Sequence, residues 1–344
     1  MSEFIVRDVD TQDPLWVSVL ENIEHDIYHL PSYVAVSSLN EGGDPRALVV
    51  TDQSGQLMLL PYVRRPINEE LWDAISPYGY AGPITSSGVS PQRRIELLDA
   101  ALNHLMLAGC VTIFLRSHPG LNLEWPTANV GYEKLRLTSP TVVLDLRQDP
   151  DFLWMQFRPG HRYEMTRAER LGYKTLVDRD GQYLSQFAGA YRENMSDSEA
   201  SNYYFFSDDY FAKLRDALGE RFVLLIALDS EDAFAAGAVF TVEGDWVQYH
   251  LACTDRAHKR LSPSKLIVNQ MRLRAANDSR LWLHLGGGRG GSEDSLLKFK
   301  QGFSPLQRTF YASGIVLNAP EYERLQITQV ASGVEDFFPA YRHP

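Results

Sequence analysis

Three apolar runs, RFVLLIALD (221–229), AFAAGAVFTVEG (233–244) and DWVQYHLACTD (245–255), are followed by SPSKLIVNQMRLRAAND (262–278) and LWLHLGGG (281–288). The first three are short and rich in β-branched and aromatic residues, which marks strands; the fourth repeats apolar residues at helical spacing; the fifth is a strand that runs into glycines. This βββαβ order decides the fold. Upstream of it, TVVLDLRQDP (141–150) reads as a strand leading into a helix start at Asp149-Pro150, with a break at Pro159-Gly160 and a second helix ending at Gly172. The segments QYLSQFAGAYRENMS (182–196) and YYFFSDDYFAKLRDALGE (203–220) add further helices.

The first half repeats the plan more weakly. TQDPLWVSVLENI (11–23) has helical spacing at Leu15, Val19 and Ile23. HDIYHLPSYV (25–34) reads as a loop, and ALVVTD (47–52) and QLMLLPYVRRPI (56–67) form a hairpin across Gln53-Ser54-Gly55. SPQRRIELLDAALNHLMLAG (90–109) carries a serine cap, a first-turn proline and a terminal glycine, so it is a helix. CVTIFLRSHP (110–119) is a buried strand. At 344 residues the chain is long enough for two cores. The expectation is an α/β (α+β) protein with two tandem halves, each built on a mixed central sheet. The first domain spans 1–138 and the second spans 139–307.

Composition narrows the chemistry. A net charge of −11 argues against a long grip on nucleic-acid backbone, yet Arg158, His161, Arg162, Arg167 and Arg170 cluster, as do Arg256, His258, Lys259 and Arg260. Two isolated cysteines, Cys110 and Cys253, make neither a disulfide framework nor a zinc site; His25, Asp26 and His29 lie close together but on a loop, and no metal is expected. The start, MSEFIVRDVD, lacks the basic-then-apolar pattern of a secretory signal, and no window approaches a membrane span. A cytoplasmic protein is expected; its oligomeric state is not written in the sequence.

The segment LWLHLGGGRGGSEDSLLKFKQGF (281–303) lacks P-loop spacing, and its glycines do not open a dinucleotide fold. The helix R-x-x-x-x-R-A-E-x-x-G (Arg162, Arg167, Ala168, Glu169, Gly172), Tyr249 before the Leu261-Ser262-Pro263-Ser264 turn, and Asp294-Ser295-Leu296 followed by Phe299-Lys300 and Phe303 occur together. In these features the chain resembles the FemABX-type aminoacyltransferases and related two-domain GNAT-like (acetyltransferase-like) proteins. The resemblance covers about residues 140 to 305.

It implies two acetyltransferase-like domains, with the tail 308–344 returning to pack on the first, and direct attack of an amine on an activated acyl ester or thioester. Lys300 is the expected electrostatic catalyst, Tyr249 the group that orients the acceptor, and Asp294 the nearest carboxylate able to take the amine's proton. Arg192 and Tyr204, with Arg162 and Arg167, are the expected substrate-binding residues. Arg260, Ser262 and Ser264 stand where the donor's phosphates bind in relatives that use coenzyme A. The glycines of that relatives' turn are missing here, and Pro263 removes an N–H donor. No tightly bound cofactor is expected; the co-substrate is aminoacyl-tRNA, held by its acceptor end, or else acyl-CoA. The alternatives are an acyl-CoA-dependent N-acyltransferase, or a catalytically silent binding factor in envelope polysaccharide synthesis.

Overall fold

Strand β1 (Phe4–Asp10), helices α1 (Pro14–Leu20) and α2 (Pro31–Glu41), strands β2 (Asp44–Asp52), β3 (Leu57–Pro66), β4 (Trp72–Ile75) and β5 (Ile84–Thr85), helix α3 (Pro91–Leu107) and strand β6 (Cys110–Arg116) come first. Strand β7 (Tyr132–Asp145) leads to α4 (Pro150–Gln156), α5 (Pro159–Arg170), β8 (Lys174–Val177), α6 (Leu184–Asp197), α7 (Asp208–Leu218), β9 (Phe222–Leu228), β10 (Phe234–Glu243) and β11 (Trp246–Thr254). Then come α8 (Ser264–Asn277), β12 (Trp282–Gly286), α9 (Ser295–Lys300), β13 (Gln307–Val316) and α10 (Ala319–Ile327). The computed structural model describes residues 3–121, 128–198, 202–327 and 337–343. Contacts divide the chain into two units, residues 1–139 with 309–344, and residues 140–308.

In the first unit the strands run β1-β2-β3-β4-β6-β13, all neighbours antiparallel except the parallel pair β4–β6. The Ser90 hydroxyl accepts the Arg93 N–H at the start of α3, whose Leu97, Leu98, Ala101, Leu102 and Leu105 are buried. Removing that cap by Ser90→Ala is expected to cost about 1 kcal/mol, read as a lower melting temperature. Two clusters tie later residues to this unit. Val111, Val316, Tyr322 and Tyr341 pack together, and the Thr112 and Tyr341 hydroxyls lie 2.8 Å apart. The buried Asp73 carboxylate accepts from Arg65 Nε at 2.7 Å and from Arg342 Nε at 2.8 Å, while Arg342 also donates to the Pro66 carbonyl.

One expectation fails here. Part of the presumed loop at 25–34 forms a short 3-10 turn, Ile27–His29, and then α2. That helix buries Tyr33, Val34, Val36, Ser37, Ser38 and Glu41, which lie on more than one face, so it leaves no polar stripe for a helical period to show.

In the second unit the strands run β7-β12-β11-β10-β9-β8, with only β11–β12 parallel. Residues of α4, α5, α8 and α9 form one core with the strands, among them Leu153, Met165, Ala168, Ile267, Met271 and Leu297. Gly237 on β10 admits α6 closely: a Cβ there would stand 2.7 Å from the Phe187 ring. The thiols of Cys110 and Cys253 are free and buried, and burial pushes both well above their usual range.

Candidate active site

The parallel pair β11–β12 holds over three rungs, Trp246↔Trp282, Val247↔Leu283 and Gln248↔His284. From Tyr249 onward β11 stays with β10 alone. Along that edge the register passes from Phe240↔Tyr249 to Val239↔Leu251, so His250 is an extra residue, a β-bulge that adds local twist. The two strands therefore part beyond the third rung and leave an open notch in the sheet. At its closed end His284 Nδ1 lies 2.6 Å from Gln248 Oε1, and both side chains are buried.

Helix α9 brings a cation to this region. Asp294 caps it by accepting the Leu297 N–H at 2.9 Å, and Leu297 anchors it in the core. Lys300, one turn later, is only 8% exposed, and its Nζ donates to the Gly287 carbonyl at 2.7 Å. Burial pushes the amine down to about 8, with the charge of Asp294 the one opposing influence. An ammonium has three donors. The other two have no protein acceptor among the described residues.

The aromatic flanks of Lys300 fix its helix. Phe299 and Phe303 meet edge to face at 5.3 Å, and His161 of α5 lies 4.8 Å from Phe303. The His161 Nε2–H donates to the Phe299 carbonyl at 2.9 Å, and burial lowers its pKa to about 4, so the ring is neutral at neutral pH. Gly302 makes room for it, since a Cβ would sit 2.1 Å from the imidazole.

The turn before α8 forms the second part of the site. Asp255 caps a 3-10 turn, Arg256–Leu261, by accepting the Ala257 N–H, and Ser262 then takes a left-handed conformation with φ 48°. Arg256 and Lys259 both pair with Asp197 at the end of α6, which holds that carboxyl far below its usual range. The same end of α6 holds the glycine loop, because Arg289 donates to the Ser198 carbonyl at 2.9 Å and also pairs with Asp294. The C-terminal end of α6 thus clamps the turn before α8 and the loop that positions Lys300.

The structure brings Lys300 and Asp294 together on α9 and places Arg260, Ser262 and Ser264 in one turn. Tyr249 lies where the strands part, its ring 5.3 Å from Phe240, and burial raises its hydroxyl. Arg192 on α6 pairs with Asp208 at 2.6 Å, and Tyr204 stands edge to face with Tyr203 on the turn before α7. Arg162 and Arg167 lie on the outer side of α5, whose inner residues His161, Met165 and Ala168 are buried. Among the described residues no group of three metal-binding side chains gathers, and no helix is long and apolar enough to cross a membrane.

Sequence reasoning missed Lys265, Glu164 and the Gln248–His284 pair. Lys265 is buried in the first turn of α8, pairs with Glu164 of α5 and lies 6.0 Å from the Phe299 ring. Its signal was available: Lys265, Val268, Arg272 and Ala275 occupy one helical face, where a lysine is out of place unless paired.

Residues 155–300 match the model of the acetyltransferase (GNAT) domain. The chain is similar in fold to FemX, with a TM-score of 0.65, 13% identity, and coverage of 92% of this chain and 99% of that one. It is also similar to L-PGS from Bacillus licheniformis, with TM-score 0.54 and 13% identity over 90% and 93% of the two chains. A conserved protein of unknown function from Bacteroides thetaiotaomicron VPI-5482 gives TM-score 0.56 and 12% identity over 90% and 99%. None of the curated proteins matches the chain. Residues 155–300 are thus similar to the GNAT domain, and the chain shares the fold of FemX.

Proposed function

We propose that this GNAT-domain chain is a cytoplasmic, amide-forming transferase that moves an aminoacyl group from aminoacyl-tRNA to an amine acceptor. The observation that carries the reading is the Lys300 ammonium, buried beside the glycine loop with two N–H donors uncommitted among the described residues. Burying a charge that is not fully paired is costly, so the fold keeps this cation at the expense of stability. The acceptor amine attacks the ester carbonyl, the tetrahedral oxyanion collapses, and the bond from carbonyl carbon to ribose oxygen breaks. The amine gives up a proton and the ribose oxygen gains one. Lys300 stabilises the charge that develops on oxygen, and an amine with a pKa near 8 is suited to hand its proton to the departing ribose oxygen.

The other residues take supporting roles. Tyr249 orients the acceptor at the parted strands, with Arg192 and Tyr204 toward the acceptor's anionic groups. Asp294 acts by position: burial would raise its pKa, but the N–H groups of Leu297 and Arg289 and the Arg289 guanidinium hold it low, which makes it a weak base. The amine's proton then passes to solvent or to the acceptor itself.

The donor reading is supported by the turn before α8. Arg256 and Lys259 are committed to Asp197, Pro263 lacks an N–H, and the Lys265 and Leu266 N–H groups bond to Ser262 and Pro263. Arg260 has no partner among the described residues, and with Ser262 and Ser264 it favours acyl-CoA as the second reading. A ligand of the native state raises the melting temperature by mass action. An aminoacylated acceptor-stem minihelix is expected to do so; stabilisation by acetyl-CoA alone would reverse the choice of donor. A chain that stabilises with neither, and forms no amide product, would be a binding factor.

Because the catalytic form of Lys300 is the cation, kcat is expected to fall as pH rises through about 8. A Lys300→Arg variant, slower but permanently charged, should lack that falling limb. Identical limbs in the two pH–rate profiles would assign the titration to another group.

A further inference from the structure

We propose that the outer groove between α4 and α5 docks the RNA of the donor, holding its backbone beside the acceptor end; this rests on the aminoacyl-tRNA reading above. The groove has a volume of about 400 Å3 and is lined by Trp154, Arg162, Tyr163, Thr166, Arg167 and Arg170. Among the described residues, Arg158, Arg167 and Arg170 have no carboxylate within ion-pair distance, and Arg162 reaches only the Met155 sulfur at 2.8 Å. Glu164, the acidic residue nearest in sequence to Arg162, is committed to Lys265. On a chain with 44 acidic and 33 basic residues, unpaired arginines crowded on one helix form a local anion site against the overall charge.

The aromatic groups decide which anion. Tyr163 is 68% exposed, and Trp154 is partly buried against Phe157. Rings that accept a base face, set among guanidinium forks that match phosphate oxygens, are the chemistry of single-stranded nucleic-acid grooves. An anionic membrane is the competing occupant, since Phe152 and Met155 are also exposed. Neither of those residues lines the groove, however; its two rings stand among three arginines, Arg162, Arg167 and Arg170, an arrangement that suits bases between phosphates. The inner side of α5 touches α9 through His161, so the groove lies about one helix diameter, roughly 10 Å, from the helix of Lys300. A few nucleotides bridge that distance.

The test is fluorescence anisotropy with a labelled RNA minihelix ending in a single-stranded acceptor end, on the full chain. The triple variant Arg162→Gln/Arg167→Gln/Arg170→Gln is expected to bind at least about tenfold more weakly, with the slope of log affinity against log salt reduced by about 2–3. Thr166→Glu, which keeps the arginines and adds an opposing charge, should weaken binding in the same direction. Arg136→Gln/Arg324→Gln, far along the chain, should not. If the native chain binds the minihelix and the triple variant binds equally well with the same slope, the groove assignment falls and the donor reading stands. If the native chain binds no minihelix, both fall. Binding of the native chain to phosphatidylglycerol vesicles in place of the minihelix would give the groove to a membrane and overturn the proposal.

Discussion

A Lys300→Met variant is expected to be more stable than the native chain and slower by two to three orders of magnitude. In the proposed role of Lys300, the rate follows from deleting a donor to developing negative charge, a loss of about 10²–10³ in comparable sites. The stability follows from the pKa. A free lysine holds its proton up to 10.5, whereas Lys300 in the folded chain holds it only to about 8. Below pH 8 the folded state carries the full penalty of the buried charge, roughly 3 kcal/mol, and stability rises as pH climbs from 8 toward 10.5, where the unfolded chain alone is still protonated. Methionine keeps much of the volume and drops the charge. Against this, the bond to the Gly287 carbonyl is lost, about 1 kcal/mol. The net gain is on the order of 2 kcal/mol at neutral pH. Calorimetry and single-turnover product formation check the two halves: a variant less stable than the native chain would mean the ammonium is structurally satisfied, and an unchanged rate would remove Lys300 from catalysis.

The opposite behaviour is expected at Asp73. Its carboxylate is fully buried and holds Arg65 and Arg342 at once. Asp73→Ala leaves two guanidinium groups facing each other around a vacated acceptor, and breaking a buried pair in this way costs about 3–5 kcal/mol. For a unit of this size that is a drop on the order of 10 °C in melting temperature. Arg342→Ala, which leaves the Arg65–Asp73 pair intact, should cost less and should make the segment 337–343 more open to proteolysis. A melting temperature unmoved by Asp73→Ala would show that the arginines find solvent or other acceptors.

What the sequence disclosed depended on local signals. Helix α3 was legible because Ser90, Pro91 and the apolar period all agree, and the β9-β10-β11-α8-β12 order because each element has a distinct composition. Helix α2 was not, because a helix buried on several faces loses its polar stripe; nor was β4, four residues long and set behind an acidic turn. Strand β13 escaped because its first three residues, Gln307-Arg308-Thr309, are polar and its partner β6 lies far away in sequence. At the site, the Phe299-Lys300 pair was visible, but the partners that tune it were not. That His161 donates to the Phe299 carbonyl, or that the end of α6 holds Arg256, Lys259 and Arg289 together, depends on long-range contacts that no spacing rule encodes.

The position of β13 has a consequence for synthesis. It pairs with β6 through Ala312↔Arg116 to Val316↔Thr112, so the first unit needs a strand that leaves the ribosome after the whole of residues 140–308. At about 5–20 residues per second, the edge of β6 waits about ten to forty seconds for its partner. During that interval the second unit, continuous in sequence, is free to fold, while the earlier-made half presents an open strand edge of the kind that recruits chaperones or other chains. A strand made after the second unit therefore closes the first.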